Sequence, residues 1–321
     1  MTARETQVSG SPLIIDVDTG VDDALALALA VGRGANILGV TTVAGNVPVE
    51  VATRNTLDVL SFLGREDIPV HRGASRPLVA DYQDATHVHG DNGLGGVDVA
   101  KSGANEADLA GPAFIIQSAA EYAGDLTLVT LGPLTNLAIA LNVRPLITRQ
   151  IRRVVVMGGA FSVPGNVTTH SEFNIYVDPE AAQHVFDAEW DDITIVGLDV
   201  THQTVLSREL WERIPEGHDC PAALVRGVMA RTFTERAMSG FYLHDPLAVA
   251  VALDPDLVEG AVRAVTVEPS GATTRGKTTI EVADRGPRVA TSVRAAAFVA
   301  EFCAVLGLPA SDATAGFENA E

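Results

Sequence analysis

Leu13-Ile-Ile-Asp-Val-Asp-Thr-Gly-Val-Asp-Asp23 closes an apolar run with four aspartates, Asp16, Asp18, Asp22 and Asp23. Leu13–Val17 reads as a buried strand, Thr19-Gly20 as a turn, and Ala24–Val31 as an apolar helix. Side chains alternate along a strand, so Asp16 and Asp18 share a face. Asp22 and Asp23 fall in the first turn of the helix. Acidic residues there also suit the helix dipole, but that accounts for one or two carboxylates and not for four. So many carboxylates at one tip repel each other unless a cation or raised pKa values relieve them. An all-oxygen donor set suits a hard cation, Ca²⁺ or Mg²⁺.

Outward from this motif, strand-like and helix-like segments alternate. Strands are expected at Leu13–Val17, Ile37–Val43, Leu126–Thr130, Val154–Met157 and Ile193–Leu198, with helices at Val49–Leu63, Pro112–Ala123, Leu134–Leu141 and Pro179–Asp187. Asp178-Pro179 places an N-cap before a proline at the first helical position. The alternation predicts an α/β fold, a mostly parallel, open, Rossmann-like sheet with helices on both faces. Asp81–Gly111, rich in Gly, Asp, Asn and His, reads as a long loop of the kind that is often functional. From Leu206 to about Tyr242 the pattern is helical, predicting a cap over the sheet. A helix from Pro246, strands at Val262–Val267 and Thr278–Val282, and a helix at Ala295–Leu306 complete the chain. No internal repeat or low-complexity linker divides it. We therefore expect a flexible tail at 1–11 and a single domain at 12–321.

Composition narrows the partners. The chain of 321 residues is 47% hydrophobic, which suits a large globular core. Its net charge of −19, from 22 basic and 41 acidic residues, opposes binding to nucleic acid or to anionic membranes. Two cysteines, Cys220 and Cys303, provide neither a disulfide scaffold nor a cysteine zinc site and fit a reducing compartment. The first ten residues lack the apolar core of a signal peptide, and no uncharged apolar run reaches membrane-spanning length. A cytoplasmic protein acting on a small molecule is expected.

Polar residues recur where the strands end: Asp18, Asn46, Gly132, Gly158-Gly159 and Asp199-Val-Thr-His202. Ligands of open parallel sheets bind beyond the carboxyl ends of the strands. Further along, His244-Asp245-Pro246 opens a helix. Asp245 as N-cap and Pro246 at the first helical position would explain it without any chemistry. His87-Val-His89-Gly-Asp-Asn92 reads either as a polar loop or as an acid–base or metal cluster. Asn166, Glu172 and Asn174 supply amides and a carboxylate fit to grip hydroxyl groups.

Taken in order, Asp16-Val-Asp-Thr-Gly-Val-Asp-Asp23, Thr41-Thr-Val-Ala-Gly-Asn46, His89-Gly90, Leu131-Gly-Pro-Leu-Thr-Asn136, Met157-Gly-Gly159, Gly165-Asn166, Glu172-Phe-Asn174 and His244-Asp-Pro246 resemble nucleoside hydrolases of the inosine–uridine-preferring type. The resemblance covers the chain from about Leu13 to the terminal helix. It implies a Ca²⁺ ion held by Asp18, Asp23, the main-chain carbonyl of Leu131 and Asp245. Where Leu131 stands the family often has Thr, a change to which a carbonyl ligand is indifferent. It further implies that Asp22 binds the ribose 2′-hydroxyl and Asn174 the diol. Asn46, Asn166 and Glu172 would hold the rest of the sugar, and His89 would lie near sugar and base. Asp18 would serve as general base and His244 as the acid for the leaving base. Homodimers or homotetramers and a place in nucleoside salvage are implied as well.

The chemistry agrees with these residue types. Breaking an N-glycosidic bond builds positive charge on the ribose, and carboxylates aimed at the sugar stabilise it. Direct attack by water predicts inversion at the anomeric carbon. Asp16-Val-Asp-Thr19 also fits a haloacid-dehalogenase-like, Mg²⁺-dependent phosphohydrolase with Asp16 as nucleophile, but that reading leaves Asp22, Asp23 and the later motifs without a role. A non-catalytic ribose- or nucleoside-binding protein would require a lost base or ligand, and none is missing. Phe233, Phe241 and Tyr242 in the cap can stack on a purine or a pyrimidine. His244 favours pyrimidine or broad specificity.

Overall fold

The computed structural model describes residues 9–82, 85, 90, 92–97, 99–217, 220–309 and 311. Most of the expected N-terminal tail, together with His87 and His89, lies outside these described residues. The strands are β1 (Ser9–Val17), β2 (Ala35–Thr42), β3 (Val70–Arg72), β4 (Thr127–Thr130), β5 (Arg153–Met157), β6 (Ile193–Val196), β7 (Val205–Ser207), β8 (Gly240–Tyr242), β9 (Val258–Val267), β10 (Thr278–Val282) and β11 (Arg288–Val293). Nine of them form one sheet in the order β10-β9-β11-β6-β5-β4-β1-β2-β3. From β11 through β3 every pairing is parallel, and β9 alone runs antiparallel to its neighbours β10 and β11. The architecture is a single α/β domain around a mixed, mostly parallel sheet.

Alternation along the strands builds two cores. Leu13, Ile15 and Val17 face one layer, with the helices Val21–Gly32, His244–Leu253 and Ala295–Val305. Ile14, Leu128, Val154 and Val156 face the other, with Gly111–Glu121, Thr135–Val143 and Pro179–Asp187. Asp178 caps the last of these, accepting from the Ala181 N–H at 3.0 Å. Because both faces are covered, the central strands are apolar throughout.

The chain departs from the sequence expectation at the margins. β3 is only three residues long and β11 lacks strong alternation, so neither stood out as a strand. The segment expected to be helical from Leu206 to Tyr242 holds helices at Arg208–Glu212, Pro221–Val228 and Ala230–Thr234, but its two ends are the strands β7 and β8, paired antiparallel. Valine, leucine, phenylalanine and tyrosine at those ends favour a ribbon over a helix. Ile193–Leu198 divides into β6 and a short helix, Leu198–Thr201.

The order of strands fixes where a ligand can sit. From β1 the chain steps outward to β2 and β3, then returns to β4 on the other side of β1. The crevice beyond β1 and β4 is thus the topological switch point of the sheet. Register keeps the strand ends level: Asp16 lies opposite both Thr41 and Thr130, and Met157 opposite Val196.

Candidate active site

Four carboxylates meet at that crevice. Asp18 follows the end of β1; Asp22 and Asp23 open the helix Val21–Gly32; Asp245 lies in the first turn of His244–Leu253. All are buried, Asp18 and Asp23 with no exposed surface at all. Leu243, not Asp245, is the N-cap residue of the second helix, and no side-chain cap bond is made there. The capping explanation of Asp245 therefore fails.

Amides organise the cluster. The Asn46 backbone N–H donates to Asp18 Oδ2 at 2.7 Å, and Asn46 Nδ2 spans Asp18 Oδ1 at 3.1 Å and Asp23 Oδ2 at 3.3 Å. Asp23 accepts from the backbone N–H groups of Asp18 and Gly20 at 3.1 and 2.9 Å. Asp22 Oδ2 accepts from the Asp245 N–H at 3.2 Å, while Asp22 Oδ1 is sealed from solvent without a partner. Burial, and then mutual repulsion, hold the carboxyls of Asp18 and Asp245 well above the usual carboxylate range. Burial likewise lifts Asp22 well above it and raises Asp23, in each case against hydrogen bonds from backbone N–H groups.

This donor set fits a hard cation in charge and chemistry. The donors are all oxygens and are crowded together, and the Asp22 oxygen beside them is left without a partner. Among the described residues no three His, Cys, Asp or Glu side chains are drawn into a ready-made cage; Asn46 Nδ2 instead lies between Asp18 and Asp23. The Leu131 carbonyl beyond β4 accepts from Asn174 Nδ2 at 2.6 Å.

Asp16 is set apart from this group. Its Oδ1 accepts from Thr41 Oγ1 and from Asn136 Nδ2, the latter at 2.7 Å. Asn136 also bonds the Thr42 carbonyl and the Ala74 N–H, tying the ends of β1 and β2 to the chain beyond β3. Burial raises the Asp16 pKa to about 7. A carboxylate sealed beneath the crevice in this way is a poor nucleophile, which removes the structural basis of the phosphohydrolase reading.

Glu172, Asn174 and Asn166 approach from beyond β5. Glu172 is buried and accepts from the N–H groups of Gly159, Asn174 and Ile175 at 3.1, 3.0 and 3.3 Å, capping the helix Phe173–Val177. Gly159 makes the approach with a φ of +87° and the Phe161 ring 3.1 Å from where a Cβ would sit. Asn174 is buried, with its amide N–H groups on the carbonyls of Leu131 and Met157. Asn166 is exposed and its Oδ1 accepts from the Phe173 N–H at 2.9 Å. Thus Asp18, Asp22, Asp23, Asn46, Leu131, Glu172, Asn174 and Asp245 come together, Asn166 lies at the rim, and His89 falls outside the described residues.

On the cap side stands His244. Its Nδ1 lies 2.6 Å from Thr201 Oγ1, and its ring leans on those of Tyr242 and His202, 5.7 and 5.8 Å between centroids. Burial first, and then His202, lower its pKa to about 3, so the imidazole is neutral near pH 7. The contact with Thr201 escaped the sequence reading; Thr201-His202 lies at a strand end, but nothing in the sequence joins it to position 244.

Fold and site define an α/β enzyme with a carboxylate-lined crevice at its switch point. The chain belongs to the inosine-uridine preferring nucleoside hydrolase family, whose family model matches residues 13–300. It is similar to a probable uridine nucleosidase 2 of Arabidopsis thaliana, 37% identical over 83% of this chain and 84% of the relative. It is also similar to a non-specific ribonucleoside hydrolase of Klebsiella pneumoniae, 38% identical over 85% of this chain and 89% of the relative. Among solved structures, a purine-preferring ribonucleoside hydrolase from Gardnerella vaginalis superposes with a TM-score of 0.83 at 35% identity, covering 95% of this chain and 99% of the other.

Proposed function

We propose that this enzyme hydrolyses the N-glycosidic bond of ribonucleosides to ribose and free base, with Asp18 as general base and His244 on the leaving-group side. The observation that carries the reading is the convergence of Asp18, Asp22, Asp23 and Asp245 at the switch point, opposite an imidazole held by the cap. Ca²⁺ is the cation we assign to Asp18, Asp23, the Leu131 carbonyl and Asp245; when bound it would neutralise the carboxylates and polarise water. The oxygen of a water molecule bonds to C1′ as the C1′–N bond breaks, and the electron pair leaves with the base. One water proton passes to the Asp18 carboxylate, which the Asn46 amide orients. Asp22, with its free Oδ1, takes the ribose 2′-hydroxyl, and Asn174 faces the diol through the oxygen its own bonds leave open. Asn46, Glu172 and Asn166 complete the sugar side, and His89 belongs to the same assignment.

At rest the neutral His244 offers the base a hydrogen bond. Negative charge gathering on the departing base strengthens that hydrogen bond, so the neutral ring stabilises the leaving group while keeping its own proton. The rings of Tyr242 and Phe241 at the cap are apolar enough to stack on either kind of base, which suits broad specificity. The same reading includes a homodimer or homotetramer in a reducing cytoplasm serving nucleoside salvage. No helix among the described residues is long and apolar enough to cross a membrane.

Release of free ribose from uridine and inosine is the direct test, with the 2′-deoxynucleosides alongside. Leaving Asp22 without its hydroxyl costs about 1–3 kcal/mol, so deoxyuridine should fall behind by roughly one to two decades in kcat/KM. Equal rates would refute the assignment of Asp22, and a chain that binds nucleosides without cleaving them would refute catalysis.

A further inference from the structure

Thr201 is wholly buried at the end of the short helix Leu198–Thr201, and its main-chain groups are already committed. Its N–H donates to the Gly197 carbonyl at 3.1 Å, and its own carbonyl accepts from the N–H and the hydroxyl of Thr204 at 3.1 and 2.9 Å. Among the described residues the carbonyls a helical threonine normally reaches back to, those of Gly197 and Leu198, receive N–H groups but no bond from the Thr201 hydroxyl. Among the described residues one partner remains for the Thr201 hydroxyl, His244 Nδ1 at 2.6 Å.

That solitary contact decides which way the proton points. A hydroxyl has one proton to give and lone pairs to spare. If Nδ1 carried a hydrogen and donated to Oγ1, the hydroxyl proton would be buried with no acceptor among the described residues, which leaves its desolvation uncompensated. If the hydroxyl donates, both groups are satisfied and the ring proton must reside on Nε2. Among the described residues the second nitrogen has no hydrogen-bond partner, and it is not one of the sealed polar atoms, so its N–H can meet a ligand. Tyr242 and His202 flank the ring, and the backbone N–H groups of His244 and Asp245 are anchored on Asp22, so the imidazole is held from both ends.

We propose that Thr201 is a positioning residue for the leaving-group step: its hydroxyl donates to His244 Nδ1 and so presents Nε2–H to the departing base. The proposal rests on the nucleoside-hydrolase reading, and it concerns the nucleobase rather than the sugar. Its consequence is selective. Substrates whose leaving group needs a hydrogen bond or a proton depend on Thr201, and those that leave as stable anions depend on it far less.

The test compares Thr201→Val and Thr201→Ser with the wild-type protein on uridine, inosine and p-nitrophenyl riboside, with Ca²⁺ supplied. Thr201→Val should lower kcat on the two nucleosides by about ten- to a hundredfold, part of the two to four decades typical of general acid catalysis. It should change p-nitrophenyl riboside turnover by no more than a few fold, and Thr201→Ser should restore the nucleosides. In ¹⁵N spectra of histidine-labelled protein, the His244 signal, identified by its absence from His244→Gln, should be that of the Nε2–H form in the wild type and shift or divide in Thr201→Val. Equal losses on all three substrates, or an Nδ1–H signal in the wild type, would overturn the proposal. A wild-type protein that releases no ribose from any nucleoside would overturn the functional reading instead, and the nitrogen spectrum would still decide the tautomer.

Discussion

Gly45→Ala asks whether the placement of Asp18 is what the reaction needs. Gly45 lies against the cluster: an added Cβ would coincide with Asp18 Oδ2 and come within 2.8 Å of both Asp18 Cγ and Pro133 Cδ. Its φ lies outside the left-handed region, so the perturbation is one of space and not of backbone strain. Pro133 cannot yield, being locked in its ring beyond β4, so the Asp18 carboxylate must turn and give up the 2.7 Å bond from the Asn46 N–H. Overpacking of this kind costs about 1–3 kcal/mol, which at this chain length lowers the melting temperature by roughly 2–6 °C. The kinetic effect should be far larger. Displacing a general base by about an ångström loses on the order of a hundredfold. The assay is kcat/KM on uridine and inosine beside a melting curve and a calorimetric Ca²⁺ titration. Gly103→Ala serves as comparator, since nothing lies within 4 Å of its added Cβ. We expect a hundredfold or greater loss for Gly45→Ala with the fold retained, weaker Ca²⁺ binding, and neither change for Gly103→Ala. A Gly45→Ala protein within threefold of the wild type would show that the reaction does not depend on Asp18 being held there.

Asp23→Ala removes one of the four carboxylates and leaves Asn46 Nδ2 with Asp18 alone; it should abolish stoichiometric Ca²⁺ in elemental analysis and lower kcat/KM by at least three decades on the scale of general-base and metal catalysis. Full activity in protein shown to be metal-free would contradict it. The buried His71, stacked on Phe114 at 3.8 Å with Nδ1 on the Leu109 carbonyl, has its pKa lowered from 6.5 by burial. The unfolded chain therefore binds more protons below pH 6.5, so the stability this ring contributes is complete above that pH and is lost as pH falls from there through the lowered folded-state value. Denaturant titrations from pH 8 to 5 should show a shallower decline for His71→Phe than for the wild type, and parallel curves would exclude the ring as a source of acid lability.

The sheet was legible because its strands are covered on both faces. Runs such as Leu13-Ile-Ile and Val154-Val-Val announce central strands, and the glycines and aspartates that follow them mark the ends that form the crevice. β3 and β11 were not legible because edge pairing and the antiparallel return through β9 depend on neighbours distant in the chain. At the site, the carboxylates declared themselves by density, yet density alone did not separate Asp16 from Asp18. Asn136 and Thr41 make that distinction by occupying Asp16 Oδ1, whereas Asn46 directs Asp18 into the crevice. The capping by Glu172 was equally hidden: a carboxylate expected on the sugar spends its bonds on three backbone N–H groups. A polar residue that both caps a helix and borders a ligand has the same letter in either role.

The way the acidic cluster is stabilised bears on what it is for. Among the described residues no lysine or arginine stands among the main influences on Asp16, Asp18, Asp22, Asp23 or Asp245; for the first four, relief comes from neighbouring polar groups, chiefly N–H donors of the backbone and of asparagine. Two helices, Val21–Gly32 and His244–Leu253, pack against each other with their N-terminal ends at the cluster, and each end carries the partial positive charge of its unpaired N–H groups. These donors orient the carboxylates and moderate their repulsion without cancelling their charge. An arginine in the same place would form a tight bidentate pair and cancel part of the charge. A crevice lined by carboxylates and free of cationic side chains among the described residues attracts a divalent cation and opposes the build-up of negative charge. It favours the positive charge that gathers on a ribosyl ring as the base departs. The same potential disfavours a phosphorylated sugar, so on the proposed function a field of this sign would favour nucleosides over nucleotides without any steric gate.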